Sequence, residues 1–148
     1  MPMFRVAGLV VLMLVAGIAG SRAGADSFTP TLSVELAESA DGIIIVGTTN
    51  LPDGAEVQYT LSPPGRAPIG GGVLNIKNGR VSTPPITVSG NPLPPGDYEF
   101  AAGCSDSDMQ PAAVKKLFGA DGKNLDGPLV QPYGKSSRIV YKTVLTLR

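Results

Sequence analysis

From Thr31 to Leu147 the chain is a succession of short apolar or alternating runs, each closed by a cluster of Pro, Gly, Asn or Asp. An apolar residue at every second position gives a strand one buried and one wet face, whereas a helix needs a period near 3.6. No helical period is sustained over a long stretch. With 19 glycines and 14 prolines in 148 residues, the chain is punctuated too often for long elements of any kind. The pattern predicts an antiparallel, all-β protein.

Taken in order, residues 31–37 alternate Leu32, Val34 and Leu36 with Ser33 and Glu35, a half-buried strand closed by an Asp41-Gly42 turn. Residues 43–49 (IIIVGTT) are β-branched and continuous, as suits a central strand covered on both sides or ending in a core. After the turn at 50–54, residues 55–61 set Val57, Tyr59 and Leu61 against Glu56, Gln58 and Thr60. Residues 62–72 (SPPGRAPIGGG) read as a loop. Residues 73–77 and 80–82 flank Asn78-Gly79, which favours a type I′ hairpin turn. Residues 85–89 read as a short edge strand, because Pro84 and Pro85 remove ladder donors. Residues 91–100 (NPLPPGDYEF) lead into a strand with Tyr98 and Phe100 on one face, and residues 138–147 form a long last strand.

Residues 1–25 obey a different rule. A short start carrying Arg5 leads into the apolar run 6–19 and then a small, polar stretch ending in Ala23-Gly24-Ala25. This is the layout of a secretory signal, and the run is shorter than the roughly 20 residues that span a bilayer core. The expected cut follows Ala25, leaving 26–148 as one mature domain with no stable membrane span, periplasmic or secreted. An uncleaved N-terminal anchor is the alternative. A lipid anchor would need a cysteine just after the apolar run, and the single cysteine is Cys104. Loss of Arg5 and Arg22 with the leader takes Lys plus Arg from 12 to 10 against 12 acids, a net charge of −2. Such a balance offers no concentrated basic patch for nucleic acid.

Segment 91–100 carries a resemblance. In Greek-key sandwiches a leucine followed by a tyrosine forms a corner at the start of the penultimate strand, the phenol bonding nearby backbone. Leu93 and Tyr98 fit that role. On strand count, turn spacing and this corner, residues 30–148 resemble a small secreted bacterial domain of the immunoglobulin-like or fibronectin type III-like class. The resemblance implies a Greek-key sandwich of about seven strands, without the paired cysteines and core tryptophan of antibody domains. It implies no activity. A jelly roll or a small open barrel is the other arrangement this pattern allows.

Between the penultimate and last strands lie residues 104–137, about 34 residues where a hairpin needs 2 to 5. Pro111 is placed at the first position of a short helix that runs on through 112–118, with Val114, Leu117 and Phe118 on one face and Gly119 after it. Asp106, Asp108, Asp121 and Asp126 invite a calcium test. From Asp121, an EF-hand loop wants ligands at its third and fifth positions and glycine at its sixth, where Lys123, Leu125 and Asp126 stand. No metal site is expected. Cys104 reads as a buried small hydrophobe at a strand end, with a reactive or intermolecular thiol as the other reading.

There is no histidine. That removes the usual general base of serine and cysteine hydrolases and the commonest ligand of catalytic zinc and copper. Asp97 and Glu99 share one strand, with no second carboxylate to tie to them. Gly70-Gly71-Gly72 lacks the Lys-Ser/Thr of a phosphate loop. The expectation is a non-catalytic exported envelope protein without cofactor, a binding or structural module for a protein or glycan. The alternative is an accessory holding a small apolar or sugar ligand between the sheet and the 104–137 insertion, with Tyr59, Tyr133 and Tyr141 as stacking groups. Candidate contacts for a partner or ligand are Lys115, Lys116 and Tyr133. Leu93, Tyr98 and Cys104 are candidate structural positions. An aromatic-lined hollow under the insertion would favour the ligand, and a flat exposed apolar patch the partner.

Overall fold

The computed structural model describes residues 27–104 and 106–148; the expected leader 1–25 and its cut lie outside the described residues. The described chain runs through β1 (Leu32–Ser39), β2 (Gly42–Thr49), β3 (Val57–Ser62), β4 (Gly70–Val73), β5 (Asn75–Lys77), β6 (Arg80–Ser82), β7 (Thr87–Val88), β8 (Asn91–Pro92), β9 (Gly96–Cys104), α1 (Ala112–Phe118), β10 (Val130–Tyr133) and β11 (Ser136–Leu147). A four-stranded sheet has the order β1-β2-β6-β5, and a five-stranded sheet the order β10-β11-β9-β3-β4. All their pairings are antiparallel. Strands β7 and β8 form a separate small hairpin.

The alternation expected for β3 and β9 sets their burial. Val57, Tyr59 and Leu61 are buried on β3, and Tyr98, Phe100, Ala102 and Cys104 on β9, while Gln58, Thr60, Asp97 and Glu99 are exposed. They meet Ile43 and Ile45 of β2, Val81 of β6 and Leu145 of β11 in one hydrophobic cluster fed by both sheets. This is a mostly β fold with antiparallel sheets sharing a core, compatible with a β-sandwich. A fully buried side chain such as Phe100, Leu61 or Ile45 contributes about 1.5–3 kcal/mol by leaving water. On β2 the other face, Ile44 and Val46, is half-buried, so this strand is central in its sheet but fully covered on one side alone.

The hairpin at Asn78-Gly79 has positive φ at both residues, 51° and 74°, as a type I′ turn requires. Four expectations are corrected. The glycines of 62–72 do not all lie in a loop: Gly70–Val73 pairs with β3 as an edge strand. The expected run 73–77 is broken at the buried Leu74, whose N–H bonds the Val57 carbonyl, and there the chain leaves one sheet for the other. In place of one strand over 85–89, Ile86 bridges Ile43 of β2 and residues 87–92 fold as the β7-β8 hairpin, its turn Ser89-Gly90 again having both φ positive, at 51° and 78°. The insertion contains β10, which pairs with β11, so eleven strands form among the described residues instead of about seven.

The rest of the insertion closes one end of the core. Helix α1 begins one residue later than expected: Pro111 is its N-cap, with its carbonyl accepting from Lys115 N–H at 2.9 Å, and Gly119 ends it at φ 77°. Val114 and Phe118 are fully buried and Leu117 half-buried, the face expected from their spacing. The Gln110 side chain docks on the start of β3 as a strand would, accepting from Glu56 N–H at 2.8 Å and donating to Glu56 C=O at 2.9 Å. Inside the insertion, Ser107 Oγ donates to Gly119 C=O at 2.7 Å.

Gly47, inside β2, admits no side chain, because a Cβ there would lie 1.9 Å from the Ser33 carbonyl oxygen of β1. We expect Gly47→Ala to force β1 and β2 apart and to destabilise the domain by about 1–3 kcal/mol, as overpacking does. A shift of the urea midpoint at unchanged slope measures it, and a wild-type midpoint would refute it.

Candidate functional site

Because β9 buries Tyr98, Phe100, Ala102 and Cys104, its alternate residues Glu99, Ala101 and Gly103 face outward. The antiparallel register extends that face across the sheet. One row reads Val140, Gly103, Gln58, Val73 from β11 to β4; the next Lys142, Ala101, Thr60, Gly71; the next Val144, Glu99, Ser62. Beyond β11, Tyr133 of β10 stands opposite Ser136 on the same side, and Arg138 lies over its ring at 3.3 Å from the centroid. The outer face of the five-stranded sheet therefore carries Val73, Val144 and Tyr133, which are 55%, 59% and 57% exposed.

The middle of this face is low. Thr60, Gly71, Ala101 and Gly103 form its floor, and two shallow grooves of about 440 and 540 Å³ adjoin along Thr60 and Ala101. Close strand contact explains the glycines: a Cβ at Gly71 would be 3.0 Å from the Tyr59 carbonyl oxygen, and one at Gly103 3.2 Å from that of Ile139. Exposed valines thus border a depression that backbone packing keeps open. Glu99 and Lys142 supply one charge of each sign on this face, and Asp97, at its far end, accepts a 2.7 Å hydrogen bond from Thr146 Oγ1.

At the insertion end the face continues into a polar ribbon. Arg138 Nε donates to Asp106 Oδ1 at 3.0 Å, and two residues on, Asp108 lies 3.9 Å from Lys115 Nζ. Met109 beside them is 70% exposed. Arg138 and Lys115 thus flank the same turn through different acids, and Lys116 is exposed on α1. Of the three tyrosines considered as stacking groups, Tyr59 is buried and stacks on Phe100 at 6.0 Å, and Tyr141 is half-buried with its edge against Phe100 at 6.0 Å. Tyr133 alone of the three is exposed. Burial raises the Tyr59 phenol pKa, partly offset by its hydrogen bond with Thr83. Val73 and Val144 were not singled out from the sequence; the signal was a valine at an outward position of a strand, legible only once the register is known.

Leu93 and Tyr98 are both buried, and the Tyr98 hydroxyl donates to the Pro94 carbonyl. The insertion's acids have local roles. Asp106 and Asp108 face cations, Asp126 Oδ1 accepts from Gly127 N–H at 2.8 Å, and Asp121 takes a turn conformation at φ 54°. Among the described residues no three His, Cys, Asp or Glu side chains gather as metal ligands, and no helix is long and apolar enough to cross a membrane.

Cys104 is buried at the end of β9, and burial pushes its thiol pKa up to about 12 from the ordinary 9.0. Thiol reagents attack the thiolate. We expect Cys104 to resist a colorimetric disulfide reagent at pH 8 in the native protein and to react stoichiometrically once unfolded. Because the folded state holds its proton to a higher pH, this group's contribution to stability is complete below pH 9 and is lost as pH rises toward 12. Rapid labelling of the native protein would refute the assignment.

Compared with protein-family models, with curated proteins and with solved structures, the chain matches none.

Proposed function

We propose that this chain is an exported, non-catalytic binding module of the cell envelope, periplasmic or secreted, that engages a protein partner through the outer face of its five-stranded sheet. The observation that carries this reading is that Val73 of β4, Val144 of β11 and Tyr133 of β10, three exposed large hydrophobic residues, all lie on that one face. Apolar side chains around a shallow centre, next to an arginine, an exposed tyrosine and an exposed methionine, have the composition of an interface core with a polar rim. The balanced charges on the face suit a protein surface better than a polyanion.

The finer fold belongs to the same proposal. The order β1-β2-β6-β5 in one sheet and β11-β9-β3-β4 in the other supports an immunoglobulin-like Greek key, with β1, β2, β6 and β5 in the A-B-E-D places and β11, β9 and β3 in the G-F-C places. The buried Tyr98 and its bond to Pro94 support the same assignment as a tyrosine corner.

The test compares three forms of the mature domain, immobilised and exposed to envelope extract: wild type, Val73→Asp/Val144→Lys, and Lys115→Ala/Lys116→Ala. All four substituted residues are exposed, so the folding stabilities should agree within about 0.5 kcal/mol. We expect the sheet-face variant to lose at least tenfold in recovery of any protein the wild type enriches, and the helix variant to retain it. Loss in the helix variant with retention in the sheet-face variant would move the site to the insertion.

A further inference from the structure

Residues 28–31 belong to neither sheet, yet they are held from two sides. Phe28 N–H donates to Asn124 C=O at 2.7 Å, Asp126 N–H returns a bond to Phe28 C=O at 2.9 Å, and the Phe28 ring stacks on Phe118 of α1 at 6.1 Å. Phe28 thereby forms an isolated parallel bridge with Leu125. Pro30 is fully buried. On the other side, Asn50 just after β2 binds the segment twice, its Oδ1 accepting from Thr31 N–H at 2.8 Å and its Nδ2 donating to Thr29 C=O at 2.7 Å. Thr49 Oγ1 adds a 2.7 Å bond to Thr31 C=O. Gly127 leaves space for Thr29, since a Cβ there would lie 2.6 Å from the threonine methyl.

These contacts fall into two sets, one to the insertion and one to the end of β2, joined by four residues. We propose that residues 28–31 form a strap that locks the α1 part of the insertion, residues 112–125, onto the sandwich, and that the strap and this part open together while both sheets stay folded. The strap has four residues and α1 has 7, so the opening unit is small beside the β3, β9 and β11 ladders. Such units open at free energies below that of global unfolding. The strap starts three residues beyond the expected cut after Ala25, so it stays with the mature domain.

Hydrogen exchange read by mass spectrometry on the mature domain tests this, with two variants that loosen the strap from opposite ends. Phe28→Ala removes the ring from Phe118. Asn50→Ala removes two of the three side-chain bonds at the β2 end and leaves every Phe28 contact in place. Both are expected to speed exchange in 112–125 at least tenfold, with β3, β9 and β11 changing less than twofold. Unchanged exchange at 112–125 in Asn50→Ala would overturn the proposal, because the strap would then not transmit. Equal acceleration in the insertion and the sheets would also overturn it, because the insertion would then open only with the whole fold. If Phe28→Ala fails to fold, Phe28→Leu takes its place under the same criteria.

Discussion

The cluster of Tyr59, Phe100 and Tyr141 holds β3, β9 and β11 of the five-stranded sheet in register. Ala102 of β9 stands directly opposite both Tyr59 of β3 and Tyr141 of β11, and its small side chain lets the two tyrosines flank it. Phe100, one step along the same face, meets both rings diagonally at 6.0 Å, stacked on Tyr59 and edge-on to Tyr141. Diagonal neighbours on one face lie within reach of aromatic side chains, and such pairs add about 0.5–1.5 kcal/mol beyond the area they bury. A one-residue slip of β9 would turn Phe100 outward and bring Glu99 into the core. The same rings that hold the core thus determine which residues the outer face displays.

Much of the fold was legible because alternation is a local property. The strands with one clean apolar face, β1, β3 and β9, could be read from every second residue, and α1 from Val114, Leu117 and Phe118. What escaped depends on neighbours distant in sequence. Gly70–Val73 has almost no side chains from which to read a period, and it is a strand because β3 offers an edge. The Leu74 break is a change of sheet, and its cause is a partner carbonyl on Val57. The segment Val130–Tyr133 contains Pro132, which argues against a central strand, but β10 is the outermost strand of its sheet, where a missing N–H is tolerated. The site was less legible than the fold. Tyr133 was noticed as an aromatic residue in a long connection, while Val73 and Val144 resembled any other strand valines until the register placed them on one face.

The close approaches of backbone also follow from that register. Gly47 lies against β1 with a carbonyl oxygen where a methyl group would go, while Gly71 against β3 and Gly103 against β11 leave a methyl group only a tight fit, 3.0 and 3.2 Å from a carbonyl oxygen. Glycine inside a strand weakens it, by giving up side-chain packing and by its larger loss of backbone freedom on folding. The two glycines of the five-stranded sheet have a second consequence. They lower the floor between Val73, Val140 and Val144, which is the shape that the proposed docking of a partner on this face calls for.

The insertion acts on the outer face without lying over it. Its first part, from Asp106 to Leu125, is turned toward the core: Gln110 imitates a strand on Glu56, and Val114 and Phe118 seal the end of the apolar cluster. Its last part is turned to solvent, because β10 adds a fifth strand and brings Tyr133 beside Arg138. Arg138 joins the two parts, with its guanidinium over Tyr133 and its Nε on Asp106. A planar cation held by an aromatic ring and a carboxylate has little further freedom to lose, so under the proposed binding role the ordering of this side chain is already met in the folded chain. The cap at the end of the core and the width of the face are two outcomes of one connection, and Arg138 is where the first supports the second.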